Sequence, residues 1–205
     1  MWKEMSLTEF ISRTASADPV PGGGSIAALT AAQGAGLVGM LASLTKDKAG
    51  YETVWTGMAA VADKAAKQAQ RFLDFIQKDV DVFNEYMSIL KMPKETDEQK
   101  AARSALMQKA VVSATEVPLA LAKECYSFIA DAEYTIDFGN KGATSDGCIA
   151  VLLLKAAAVA ALYNVKINLS SIKDEATAKR IAAEMNEIEI GSAKKEKEIL
   201  ERIKF

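Results

Sequence analysis

Apolar and polar positions along this chain follow the three-and-four spacing of α-helices, and no stretch alternates in twos as a strand or hairpin would. Ser6-Leu7-Thr8-Glu9 has the form of a capping box and predicts a first helix ending near Ser16. Asp18-Pro19-Val20-Pro21-Gly22-Gly23-Gly24 then interrupts regular structure. Ser25 is the expected N-cap of a second helix, from Ile26 to about Thr45. A long third helix is expected from about Glu52 to Lys91, stopped by Pro93. Its inner face reads Trp55, Met58, Ala62, Ala65, Ala69, Phe72, Ile76, Asp79, Phe83, Tyr86 and Leu90, with Asp79 the one polar position. Asp74, Lys78, Asp81 and Glu85 on the other side have the composition of solvated surface. A fourth helix is expected from Asp97 to about Ala130, with Met107, Ala110, Ala114, Val117, Leu121, Cys125 and Phe128 inward. Pro118 lies inside it and lacks an N–H, so the Ala114 carbonyl loses its usual partner and a kink is expected. Phe138-Gly139-Asn140-Lys141-Gly142 reads as a turn. Helices from Thr144 to about Val165 and from about Asp174 to Ile203 complete the chain.

Pro19 through Thr45 carries no charge, and the Thr144–Val165 run, opened by Asp146 in its first turn, carries only Lys155 after it. The length of the first run would suit a membrane span. Its content of Ala, Gly, Ser and Thr, with Gln33 in the middle, predicts a central helix surrounded by others instead. Gly34, Gly36 and Gly39 each cost about 1 kcal/mol of helix propensity, and close packing is the expected compensation. The fold expectation is all-α: one domain over residues 1–205, a single bundle of six to eight helices around a small-residue helix.

Composition narrows the chemistry. Half of the 205 residues are hydrophobic, enough for a packed core. The net charge of −2, without a basic block, gives no support to nucleic-acid binding. Cys125 and Cys148 form no metal-spaced motif, and Met1–Phe10 does not read as a secretory leader. Free thiols and a cytoplasmic location are therefore expected. The chain has no histidine, which removes Ser-His and Cys-His nucleophile pairs and imidazole metal ligands. Acid–base work would fall to Asp, Glu, Lys, Tyr or Cys.

Several residues could carry such work. Gly22, Gly23 and Gly24 with Ser25 leave backbone N–H groups open at a helix start, for a ligand or for a tight turn beside a crowded helix. Asp79, a carboxylate on an apolar face, must find a partner, face a cavity or hold a proton, in a site or in the structure. Asp146, beside Ser145, lies in a first helical turn, where capping alone would suffice. Lys48 follows the central helix, where a solvated cation is equally at home. Glu116 sits near the Pro118 kink. Neither cysteine has an activating base in view.

Together these segments resemble the cyclodeaminase/cyclohydrolase family, which comprises the C-terminal domain of formiminotransferase-cyclodeaminase and the stand-alone methenyltetrahydrofolate cyclohydrolases. Pro21-Gly22-Gly23-Gly24-Ser25, Leu44-Thr45 with Lys48 and Tyr51, and Lys78-Asp79-Val80-Asp81-Val82-Phe83 are similar to successive blocks of that family. Gly139-Asn140, Ser145-Asp146 and Asn164-Val165-Lys166-Ile167-Asn168 continue the pattern. Pro93 to Arg103 and Ala114-Thr115-Glu116-Val117-Pro118-Leu119 resemble the stand-alone branch in particular. The resemblance implies an all-α homodimer acting on a tetrahydrofolate derivative, with no metal or redox cofactor and no membrane or nucleic-acid partner. It implies cyclohydrolase activity, with cyclodeaminase activity and a non-catalytic folate-binding or interaction module as the alternatives. It casts Asp79, Asp146 and Lys48 as catalytic groups. Gly22, Gly23, Gly24, Ser25, Glu116, Asn140, Ser145 and Asn168 would contact substrate.

Overall fold

A computed structural model describes residues 2–204. Six α-helices carry the fold among these residues: α1 (Leu7–Thr14), α2 (Gly23–Ser43), α3 (Trp55–Leu90), α4 (Asp97–Phe138), α5 (Thr144–Leu169) and α6 (Glu175–Glu201). Single 3₁₀ turns at Trp2–Glu4, Glu52–Val54 and Lys141–Ala143 complete the regular structure.

α2 and α5 form the centre, antiparallel and in close contact. Their approach depends on small side chains. A Cβ at Gly34 would stand 3.0 Å from Leu154 Cγ and 3.3 Å from the Ala150 carbonyl, so glycine is what lets the two backbones meet. Ala28, Ala31, Ala35, Ala157, Ala158 and Ala161 are all buried in the same layer. The expectation of a surrounded helix is met on one side only. Gly36 has no neighbour within 4 Å, and Gln33, Met40 and Leu44 are exposed. α5 shows the same asymmetry: Ile149, Leu152, Tyr163 and Ile167 are 43–74 % exposed. Both helices are long and apolar enough to cross a membrane, and 56 % and 50 % of their apolar windows are buried within the bundle.

α3 and α4 form a long antiparallel pair across the covered side of this layer. Phe72 and Phe128 meet edge-to-face at 6.4 Å, and Lys64–Asp131 (2.8 Å) and Arg71–Glu124 (2.6 Å) bridge the rim. α6 packs on α4 and α5, where Lys155, the one charge in the middle of α5, meets Glu196 at 3.0 Å.

Three departures from expectation have a clear physical reason. α4 continues two turns past Ala130, because Ala132, Thr135 and Ile136 prolong the buried stripe and Gly139 is the first breaker. The α3 face holds through Met58, Ala65, Phe72 and Ile76, but near the C-terminus Ile89 is buried and Leu90 exposed. A strict seven-residue repeat drifts about 20° per heptad on a straight helix, which rotates the inner face by one position over this length. The third difference is at Ser25, which does not cap α2: the helix begins at Gly23 with Gly22 as N-cap, and Ser25 is fully buried in its first turn.

Candidate functional site

The buried Ser25 hydroxyl donates to Asp79 Oδ2 across 2.8 Å, joining the start of α2 to the middle of α3. The Ser25 backbone N–H donates to the same carboxylate. Asp79 therefore occupies the anion position at the α2 N-terminus, which the sequence alone offered to a ligand. Gly24 is what admits it: a Cβ there would lie 2.6 Å from Asp79 Cγ and 2.9 Å from Oδ2. No such restriction applies to Gly23, which has nothing within 4 Å.

Burial pushes the Asp79 carboxyl above the usual carboxylate range, and the two Ser25 hydrogen bonds pull in the opposite direction without cancelling it. The remaining carboxylate surface faces a cavity of about 440 Å³. Val82, Phe83, Tyr86, Val111, Ala114 and Ile167 give it apolar and aromatic walls, and Asn164, Asn168 and Ser171 give it polar edges. No cation lines it.

Asn168 answers the question raised by Pro118. Its Nδ2 donates to the Ala114 carbonyl at 3.0 Å, the acceptor that the proline leaves without a helical N–H. Asn164 donates in the same way to the Ala160 carbonyl at 3.2 Å. Each amide oxygen remains as an acceptor at the cavity. With Asp79, these groups make a pocket of acceptors inside an apolar shell, suited to a flat cation that carries N–H donors.

The other sequence candidates are placed elsewhere. Lys48, Asn140, Ser145 and Asp146 lie around the opposite end of α2, roughly 30 Å away by the rise of that helix. There the Thr45 hydroxyl donates to the Leu41 carbonyl (2.7 Å) and accepts from the Asn140 N–H (2.9 Å). The Tyr51 hydroxyl accepts from the Lys141 N–H at 3.1 Å, and Asn140 Oδ1 accepts from the Gly142 N–H at 3.1 Å. Asp146 is half-buried in the first turn of α5, and Lys48 is exposed. Glu116 is not at the cavity: it pairs with Arg180 on the α6 side of α4. Asn164 belongs to a block shared with the family but was given no role from the sequence, although a polar residue within an apolar helix is the same signal that marks Asp79. Among the described residues no three Cys, Asp or Glu side chains cluster as metal ligands. Burial raises the Cys125 thiol far above its ordinary value, so it is held as the neutral thiol.

This arrangement sits within a chain whose relatives are identifiable. The formiminotransferase-cyclodeaminase family matches residues 6–187. The methenyltetrahydrofolate cyclohydrolase of Methylorubrum extorquens is 37% identical over 88% of this chain and 86% of its own length. The formimidoyltransferase-cyclodeaminase of Sus scrofa is 31% identical over 83% of this chain, which corresponds to 31% of that longer protein. The crystal structure of formiminotetrahydrofolate cyclodeaminase from Thermotoga maritima superposes with a TM-score of 0.87, covering 98% of each chain at 28% identity. With the match running through both the Asp79 helix and the glycine turn that receives it, the chain belongs to the formiminotransferase-cyclodeaminase family.

Proposed function

We propose that this protein is a methenyltetrahydrofolate cyclohydrolase that interconverts 5,10-methenyltetrahydrofolate and 10-formyltetrahydrofolate, working in the cytoplasm as a homodimer and needing no metal or redox cofactor. The carrying observation is the Asp79 carboxylate, held on the α2 N-terminus and facing an acceptor-lined cavity without cations. The relative from Methylorubrum extorquens, matched along nearly its whole length, favours the hydrolytic reaction.

The substrate carries a cationic amidinium bridge between two nitrogens, and the cavity offers one acid to that cation. Water adds to the bridging carbon, and Asp79 accepts the proton that the water loses. One C–N bond of the tetrahedral carbinol then breaks, its electron pair staying on nitrogen. Asp79 returns its proton to that nitrogen, and the carbinol O–H releases its proton as the formyl C=O forms. One proton is released overall. The raised Asp79 value suits this exchange, since an ordinary carboxylate is too weak a base near neutrality. Phe83 and Tyr86 supply flat faces for the pterin-derived ring, and Asn164 and Asn168 supply acceptors for its N–H groups.

Turnover of methenyltetrahydrofolate and formiminotetrahydrofolate by the purified protein tests this reading. Accelerated loss of methenyl absorbance without ammonia release is expected. Ammonia release of equal or greater efficiency would make the protein a cyclodeaminase, a reading that the Thermotoga maritima neighbour favours. Saturable binding with no acceleration would reduce it to a folate-binding module.

The homodimer reading rests on the uncovered α2–α5 face. Ser145, Ile149, Leu152, Ala156, Tyr163 and Ile167 form a continuous exposed stripe, beside Gly23, Gln33, Gly36, Met40 and Leu44 on α2. A second copy packed antiparallel on it would bring one chain's Lys48 and Asp146 to the other chain's Asp79 cavity, as the catalytic roles proposed for Lys48 and Asp146 require. Asp79→Asn and Lys48→Ala, each inactive alone, would then recover roughly a quarter of wild-type activity after random mixing of subunits. No recovery, with both variants dimeric, would leave Lys48 outside the site.

A further inference from the structure

The Asp79 cavity is rich in acceptors, and its free proton donors are few. The Nδ2 groups of Asn164 and Asn168 are already committed to the Ala160 and Ala114 carbonyls. Two hydroxyls remain among the lining side chains, those of Tyr86 and Ser171, and neither has a hydrogen-bond partner among the described residues. Ser171 is exposed in the turn after α5. Tyr86 is half-buried and stands on α3 itself, on the same helix as Asp79.

Asp79, Val82, Phe83 and Tyr86 follow the three-and-four spacing that turns one face of α3 to the cavity. Two helical turns separate Asp79 from Tyr86, roughly 10 Å along the axis. Long side chains on a helix lean toward its N-terminus, so the Tyr86 hydroxyl is carried back toward the carboxylate. Room remains between the two groups for a reacting centre that touches both. Asp79 Oδ2 is held by the Ser25 hydroxyl at 2.8 Å, so its position is fixed. The space therefore lies between an anchored base and a free phenol, a group that both accepts and donates a hydrogen bond.

We propose that the Tyr86 hydroxyl is a catalytic group of this site: it holds the water that attacks the bridging carbon and passes on the proton that the reaction releases. This rests on the cyclohydrolase reading above. A water whose two hydrogens are held by Asp79 and by Tyr86 Oη turns a lone pair toward the carbon, and its orientation is set before the bond forms. As the C–O bond forms, Asp79 takes one proton and the other stays on the carbinol oxygen, still bonded to Tyr86. As the C–N bond breaks, its electron pair goes to nitrogen, and Asp79 returns its proton there. The carbinol O–H pair becomes the second bond of the formyl C=O. Its proton moves to Tyr86 Oη while the phenol's own proton passes to solvent at the cavity mouth. Tyr86 ends neutral, Asp79 ends ionised, and one proton has left. The aromatic face of Tyr86 serves binding, and its hydroxyl serves the chemical step.

The test is steady-state turnover of methenyltetrahydrofolate by wild type, Tyr86→Phe and Tyr86→Leu, with thermal melts of each. Tyr86→Phe keeps the ring, so its melting temperature should be unchanged and its KM should stay within about twofold of wild type. Its kcat should fall by about 10- to 100-fold, since solvent replaces the hydroxyl only in part. Tyr86→Leu should show the same fall in kcat together with a raised KM, because the ring is lost as well. The pH profile separates a direct role from one exerted through Asp79. Activity falls on the acid side as Asp79 takes up a proton and can no longer accept one from water, and that limb should lie at the same pH in wild type and Tyr86→Phe. A displaced limb would mean that Tyr86 acts by way of Asp79, and it overturns the assignment. A kcat within about twofold of wild type in Tyr86→Phe overturns it too and leaves the cyclohydrolase reading standing, whether or not KM changes. Absence of wild-type turnover removes the reading on which the assignment depends, and the assignment with it.

Discussion

The two ends of α2 face one problem, unpaired backbone groups inside a helical bundle, and solve it differently. At the C-terminal end the solution is neutral and closed. Thr45 is fully buried, and its hydroxyl both donates to the Leu41 carbonyl and accepts from the Asn140 N–H. At the N-terminal end the partner is a carboxylate. Asp79 takes the Ser25 hydroxyl and N–H, yet burial still holds its proton affinity high, and one side of it opens on a cavity. A neutral amide in the same place would meet the capping need with less desolvation. The charge is retained at a cost to stability, as expected for a group used in chemistry.

Asp79→Asn tests that difference most directly, and its effect should be the largest. Loss of the base should lower kcat by about 10²–10⁴-fold. The amide oxygen can still accept from Ser25, so the variant should melt at the wild-type temperature or above it near neutral pH. The pH dependence separates the two forms further. The native state holds the Asp79 proton more tightly than the unfolded chain does, so wild-type stability falls as pH rises from the ordinary carboxylate range through the raised folded value. Thermal melts across that window should show this slope in wild type and its absence in Asp79→Asn. Near-normal turnover by a well-folded variant would return Asp79 to a structural role.

Gly24→Ala should come next. The added methyl would enter the space of the Asp79 carboxylate, which must swing away from Ser25 or push α3 outward. Displacement of a catalytic group by about 1 Å can cost on the order of 10²-fold in rate. Gly23→Ala, one residue away and facing open space, should turn over within about twofold of wild type on the monomer geometry; a larger loss would point to a second copy seated on that face. Steady-state rates for the pair show whether the glycine turn serves Asp79 or merely starts a helix.

What could be read from sequence follows the reach of each signal. Asp79 stood out because a single helix carries both the apolar stripe and the exception to it. The kink residue Pro118 and the orphaned Ala114 carbonyl are likewise local. Ser25 was misread because serine before an apolar run is a local N-cap signal, whereas its partner lies 54 residues away. The separation between Ala114 and Asn168 is also 54 residues, so the amide that completes the proline site could not be paired with it in advance. The cavity exists only where α3, α4 and α5 converge, and no segment encodes it alone. The division of Lys48, Asn140, Ser145 and Asp146 from Asp79 was hidden for the same reason: motif order does not say which end of a helix a loop returns to.

At the closed end, Thr45→Val keeps the side-chain shape while removing both hydrogen bonds. The Asn140 N–H then has no partner in a half-buried loop, and a loss of about 1–3 kcal/mol in chemical denaturation is expected. Relative to Asp79→Asn, the pattern should be inverted at this end: stability falls, while turnover per folded molecule changes far less. A large rate loss from Thr45→Val without a change in stability would instead tie the Asn140 loop to the reaction and favour a site completed by a second copy.

The smallest effect should come from Asn168→Ala, at about 1 kcal/mol, because the cavity lets water reach the freed Ala114 carbonyl. Its value lies in the coupling to Pro118. If Asn168 is present to satisfy the acceptor that proline orphans, an N–H restored at position 118 should make the asparagine dispensable for stability. Asn168→Ala should then cost less in a Pro118→Ala background than in wild type. The double-mutant cycle, measured by denaturation, should close with a non-additivity of at least about 0.5 kcal/mol. Any turnover defect of Asn168→Ala that survives in the Pro118→Ala background cannot come from the carbonyl and belongs to the amide oxygen at the cavity. The cycle thus divides one residue's structural work from its work on substrate, as Thr45 and Asp79 divide the two ends of α2.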